Sequence, residues 1–277
     1  MILPEMQLAE INGVELEILN TGSGEPVMFV HGGMGDECFA VLAEPALANS
    51  YRLIHHHRRG WGKSELPAAP VSISQQAADC KAVLKHLGIE RAHVVGQSSG
   101  AVIVLQFARD SPDYVYSLAL LEPSLPSVLP HFPEFGAELA KAASLYESGN
   151  KAGTIDAFGQ AVAGAHYRAA FDQTLPSGYF ERWVAEADTQ FQFDMPALQA
   201  WTFTPEDATH ITQPVINMSG ADSIPYFREV YATIQKWLPH AENFIVPNAT
   251  HAMLQTNPKA VAERLASFFS KHPLQAG

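Results

Sequence analysis

The sequence predicts an α/β protein, with a mostly parallel central sheet covered by helices on both faces and a helical block inserted late in the chain. Three observations carry this. Apolar runs of strand length alternate with amphipathic helical patterns in the first half of the chain and again near its end. The strand runs are continuously hydrophobic, as strands covered on both faces are. From roughly residue 124 to 208 the strand signals stop and only helical periodicity remains. A core of residues 1–123 and 209–277 with a cap, or lid, of residues 124–208 follows.

In chain order, "MQLAEI" and "VELEIL" flank Asn12-Gly13, a two-residue hairpin signal. "PVMFVHGG" is a buried strand running into glycines, and "YRLIHHH" is another, ended by "RRGWG". Ser72 with Gln75 forms a capping-box pattern that starts the helix "SQQAADCKAVLKHLGI", and Gly88 closes it. "AHVVGQ" is a strand, "SGAVIVLQFARD" a nearly all-apolar helix and "VYSLALLEP" a strand. The inserted block offers the helices "PEFGAELAKAASLYESG", "KAGTIDAFGQAVAGAH" and "SGYFERWVAEADTQF". After it come the strand "PVINMSGAD", the helix "YFREVYATIQKWL", the strand "ENFIVPN" and the helix "PKAVAERLASFFSKH".

Composition narrows the function. A net charge of −12 argues against nucleic acid as a partner, and the only dense basic spot is Arg58, Arg59 and Lys63. No apolar run reaches the roughly 18 residues of a membrane helix, so no membrane partner is expected. The start "MILPEMQLAEING" has no basic leader region and is not expected to be a signal peptide. Cys38 and Cys80 read as two reduced thiols, and a cytoplasmic location is expected.

Residues 94–101, "VVGQSSGA", hold Gly96-Gln97-Ser98-Ser99-Gly100, a G-x-S-x-G pattern between an expected strand and an expected helix. That context is what a sharp turn presenting a nucleophilic serine requires. "FVHGGMG" at the end of an earlier strand offers backbone N–H groups free of side-chain obstruction, as an oxyanion site needs. "VPNATHAML" places His251 just past the last strand, completing the chain order serine, acid, histidine. On these motifs the chain resembles the α/β-hydrolase fold superfamily from about residue 14 to 271. The resemblance implies Ser98 as nucleophile, His251 as general base, and the amides of Gly33 and Ser99, with Met34 as an alternate, as oxyanion donors.

The stretch "HRRGWGKS" is similar to the superfamily's D-x-R-G-x-G-x-S loop, with His57 in place of the usual aspartate. A phosphate-binding G-x-x-x-x-G-K-S reading fails because position 57 is histidine. Of His55, His56 and His57, only His55 and His57 share a strand face, and no second ligand cluster follows, so no metal is expected. No dinucleotide-binding motif occurs and no cofactor is expected.

Two carboxylates compete for the acid. Asp222 follows the strand "PVINMSG" but stands one place earlier than the superfamily's usual position, which is taken by Ser223. Glu122 ends "LALLE", and its placement resembles that of the acid in zearalenone-type lactonases and some haloalkane dehalogenases. A glutamate directly after so apolar a run is not a free surface charge, and Glu122 is preferred over Asp222.

The expected function is hydrolysis of a small, largely apolar carboxylic ester or lactone through an acyl-enzyme. Serine in place of aspartate as nucleophile disfavours dehalogenase and epoxide-opening chemistry. Hydrolysis of a carbon–carbon bond beside a ketone, and ligand sensing with little turnover, are the alternatives. The sequence leaves a homo-oligomer open.

Overall fold

The computed structural model describes residues 5–274; residues 1–4, where the stretch without a basic leader begins, and 275–277 lie outside the described residues. Eight strands form one sheet: β1 (Gln7–Ile11), β2 (Val14–Gly22), β3 (Glu25–Val30), β4 (Tyr51–His56), β5 (Ala92–Gln97), β6 (Val115–Leu121), β7 (Val215–Gly220) and β8 (Glu242–Val246). Their order is β1-β2-β4-β3-β5-β6-β7-β8. β1 and β2 pair antiparallel, as do β2 and β4, and every pairing from β4 to β8 is parallel.

The β1–β2 turn has Asn12 at φ 52° and Gly13 at φ 78°, the left-handed pair that matches strand twist in a two-residue hairpin. Along β3, Met28 and Val30 enter one core cluster while Val27 and Phe29 enter another. That alternation is the mark of a strand covered on both faces. The first cluster packs the helices Ile73–His86, Ser99–Asp110 and Pro225–Trp237 on one side of the sheet. The second packs the helix Pro258–Lys271 on the other, where Leu265, Phe268 and Phe269 are fully buried. Each such side chain contributes about 1.5–3 kcal/mol of burial. Cys80 lies in the first cluster and Cys38 in the second, both as free thiols.

Between β6 and β7 the described residues are helical: Pro133–Glu147, Lys151–Ala163, Tyr167–Thr174, Tyr179–Ala185 and Met195–Ala200. The stretch "SGYFERWVAEADTQF", expected as one helix, instead ends its α-helix at Ala185 and then winds a π-helical turn, Thr189–Asp194. This block has its own aromatic cluster, including Tyr167, Phe171, Tyr179 and Trp183, with Trp61 and Met34 reaching into it from the sheet side. No helix among the described residues is long and apolar enough to cross a membrane.

Candidate active site

Ser98 stands between β5 and the helix Ser99–Asp110 at φ 56°, ψ −123°, a conformation that a serine holds only where its surroundings enforce it. The flanking glycines are the enforcement. A Cβ on Gly96 would meet the Gly100 carbonyl at 2.5 Å, and one on Gly100 would meet the Val30 carbonyl at 2.2 Å. The turn can therefore close on itself only with glycine at 96, and press against the end of β3 only with glycine at 100. Ser98 Oγ lies 2.9 Å from Ser124 Oγ, a partner the sequence did not single out.

His251 and Glu122 meet. His251 Nδ1 donates to Glu122 Oε2 at 2.8 Å, and the carboxylate's Oε1 accepts from Ser219 Oγ at 2.5 Å and the Gly220 N–H at 2.9 Å. Glu122 is completely buried, at φ 45° just past β6. The end of β7, where the resemblance would place the acid, here supplies donors to an acid from β6. Asp222 is exposed and only its backbone N–H contributes, donating to the Ala249 carbonyl at 2.8 Å and so supporting the loop that carries His251. The imidazole is held flat against Phe227, with centroids 3.6 Å apart and planes within 5°, and Gln97 Nε2 donates to the His251 carbonyl at 2.5 Å. With Nδ1 committed to Glu122, Nε2 is the nitrogen left to exchange a proton.

The loop after β3 is clamped from behind. Arg58, 2% exposed, donates through Nε to the His31 carbonyl at 3.1 Å and through Nη2 to the Gly32 carbonyl at 2.6 Å. A carbonyl and the N–H of the next residue point in opposite directions across one trans peptide. Holding the Gly32 carbonyl therefore fixes the Gly33 N–H on the side away from the guanidinium. Trp183 Nε1 holds the Gly33 carbonyl in the same way, at 2.7 Å. Gly32 itself packs on Ser98, since a Cβ there would meet Ser98 Cβ at 2.8 Å. Arg58 also makes a two-pronged pair with Asp194 of the π-helical turn, at 2.6 and 2.9 Å, and Trp61 Nε1 donates to the same carboxylate at 3.0 Å. Of the three expected oxyanion residues, Gly33 and Ser99 line the cavity onto which Ser98 opens, whereas buried Met34, with Gly33, lines a smaller chamber beside it.

The histidine run is core. His55 and His57 pack edge-on with each other and with His31, with centroids 5.5–6.0 Å apart, against Phe39 and Trp61. Burial pushes the His31 and His55 imidazoles well below their usual range and His56, on the other strand face, down to about 4. These rings are neutral packing groups. His57 Nδ1 pairs with Glu17 at 2.8 Å, and Arg59 pairs with Asp79 at 2.7 and 2.8 Å, tying the loop down. Among the described residues no His, Cys, Asp and Glu cluster is arranged to hold a metal.

Glu37, whose Oε1 accepts the Gly32 N–H, is also buried, and burial raises its carboxyl to about 8. The folded protein therefore keeps a proton that the unfolded chain gives up near pH 4.5. Its contribution to stability is complete below that pH and is lost as the pH rises toward 8. Glu37→Gln should gain stability over the wild type by on the order of 1 kcal/mol per pH unit across that window. Urea denaturation at pH 5, 6.5 and 8 measures this; a difference that stays flat would mean Glu37 ionises freely.

Ser98 opens onto a cavity of about 380 Å³ with largely apolar walls, among them Leu129, Phe135, Leu139, Phe158 and Phe191. The adjoining chamber of about 40 Å³ is bordered by Ser98, His251, Glu37 and Trp183, enough for water. Sequence reasoning missed Ser124, Gln190, Asp194 and Phe227 at this site. Their only signal was residue type, and long-range packing brings them in.

A family profile described as the alpha/beta hydrolase fold matches residues 25–258. Among curated proteins, a dihydrolipoyllysine-residue acetyltransferase component of the acetoin cleaving system from Cupriavidus necator is 34% identical over 118 residues, 42% of this chain and 32% of that protein. The chain matches only 32–40% of the length of the first such relatives. Among solved structures, the enol-lactonase from Burkholderia xenovorans LB400 superposes with a TM-score of 0.80 at 20% identity, covering 95% of this chain and all of that one. Carboxylesterase CesB from Bacillus subtilis gives 0.74 at 21% identity, covering 98% and 93%.

Proposed function

The chain belongs to the alpha/beta hydrolase fold family, and from that premise we propose that it is a serine hydrolase of carboxylic esters or lactones. The observation that carries the proposal is the buried Glu122–His251 pair, at 2.8 Å, beside the same small chamber as the strained Ser98. For the reaction Ser98 Oγ turns from Ser124 toward His251 and attacks the substrate carbonyl carbon, passing its proton to Nε2. Charge developing on the carbonyl oxygen is met by the Gly33 and Ser99 amides, aided by the positive end of the helix behind Ser98. The carbon–oxygen bond to the leaving group breaks and His251 returns the proton to that oxygen. Water, drawn from the 40 Å³ chamber, then attacks the acyl-enzyme with His251 as base, releasing the acid and restoring Ser98. The helical block acts as the cap, and its apolar walls suit a largely apolar substrate.

The test is covalent capture. A fluorophosphonate should add once per chain, the adduct should map to Ser98 by peptide mass spectrometry, and it should block hydrolysis of short p-nitrophenyl esters. Failure of both labelling and turnover would reject the proposal in favour of a ligand-sensing role.

A further inference from the structure

Gln190 sits on the π-helical turn, 1% exposed. Its Oε1 accepts from Trp183 Nε1 at 3.1 Å, while the same indole N–H donates to the Gly33 carbonyl at 2.7 Å. Indole is a donor only, so this contact decides which end of the amide is oxygen. The other end, Nε2, is buried and without a hydrogen-bond partner. It lies beside Gly33, where an added Cβ would meet it at 3.3 Å, and both residues line the 380 Å³ cavity with Ser98. The cavity's one acid, Asp194, has its two oxygens committed to Arg58 and Trp61. Gln190 is thus an uncommitted buried donor in a mostly apolar wall, fixed in orientation and adjacent to the expected oxyanion residue. A buried donor without a partner is destabilising unless a ligand satisfies it, and π-helical turns concentrate at functional sites.

We propose that Gln190 determines specificity by donating from Nε2 to a second, uncharged oxygen of the substrate. The preferred substrates are then esters or lactones whose otherwise apolar acyl portion carries a keto, ether or hydroxyl oxygen within a few bonds of the scissile carbonyl. This rests on the serine-hydrolase reading above. The geometry makes the donor a property of the cap, since Gln190 and Trp183 both belong to the helical block, whereas the oxyanion amides belong to the core.

Matched pairs test it: p-nitrophenyl butanoate against methoxyacetate, and pentanoate against 3-oxopentanoate. Comparing each ester between enzymes removes its intrinsic reactivity. In Gln190→Met, kcat/KM for an oxygenated ester should fall about 10- to 100-fold relative to its alkyl partner in at least one pair. Gln190→Glu, which keeps the Trp183 contact but lacks the donor, should do the same. A packing role would lower both members of a pair together, and an unchanged ratio in both pairs overturns the proposal. Calorimetry in the Ser98→Ala background needs no turnover. There Gln190→Met should weaken the oxygenated ester about tenfold and its alkyl partner less than twofold. Differential binding in a protein that neither turns over nor labels would reject only the hydrolase reading. Turnover with unchanged ratios and equal binding would reject only the role of Gln190.

Discussion

Ser98→Ala is expected to lower kcat/KM for the best ester by about 10⁴- to 10⁶-fold while leaving the thermal midpoint within a few degrees of wild type. The loss is large because Oγ is the only atom proposed to bond to the substrate; what remains is binding and the oxyanion amides. The fold survives because alanine fills the same turn at the same φ, and the constraint comes from Gly96 and Gly100 rather than from the hydroxyl. Ser124 is not expected to substitute, although its Oγ lies 2.9 Å away. It sits past Glu122 rather than at the sharp turn heading the helix Ser99–Asp110. Ser98→Ala/Ser124→Ala should therefore match Ser98→Ala. Residual activity within tenfold of wild type would remove Ser98 from the mechanism.

Glu122→Gln should cost about 10³- to 10⁴-fold in kcat, with Asp222→Asn within twofold of wild type. An amide in place of the carboxylate keeps the shape but presents no second acceptor oxygen. It therefore no longer holds the proton on Nδ1 or offsets the charge that His251 acquires. It also turns an N–H₂ toward either the ring or the donors Ser219 Oγ and Gly220 N–H, so some loss of stability accompanies the loss of rate. Steady-state kinetics on the two variants at neutral pH separates the candidates. If Asp222→Asn were the damaging change, the loop after β7 would have to move toward His251 during turnover.

Much of this was legible because it is local. G-x-S-x-G needs only a strand before it and a helix after it, and the flanking apolar patterns declared both. That Glu122 is buried and partnered was readable from its position after "LALL", since an acid so placed must find partners. The Asn12-Gly13 turn and the Ser72 cap, which accepts the Gln75 N–H at 3.1 Å, are likewise short-range. What could not be read is long-range. Nothing in "HRRG" says that one arginine ties down Asp79 while its neighbour reaches residue 194. Sequence alone excludes a metal reading of the histidines but does not say that His55 and His57 pack among His31 and Phe39, with His56 buried on the opposite strand face. The π-helical turn has no propensity signature: the expected helix runs on through Gln190 to Phe191 and gives no sign that Gln190 and Asp194 turn inward.

Arg58 has a consequence for how such an enzyme can change. One guanidinium holds both Asp194 of the helical block and the carbonyls of His31 and Gly32, against which Ser98 packs. A buried cation that loses its anion is penalised by about 3–5 kcal/mol. A transplanted helical block lacking an acid at position 194 would thus leave a homeless charge pulling on the loop after β3, whatever pocket it brought. New substrate ranges are accordingly more accessible through the side chains of the helices Pro133–Glu147 and Lys151–Ala163, which form pocket walls without anchoring that loop. The helical block can be re-lined more readily than it can be exchanged.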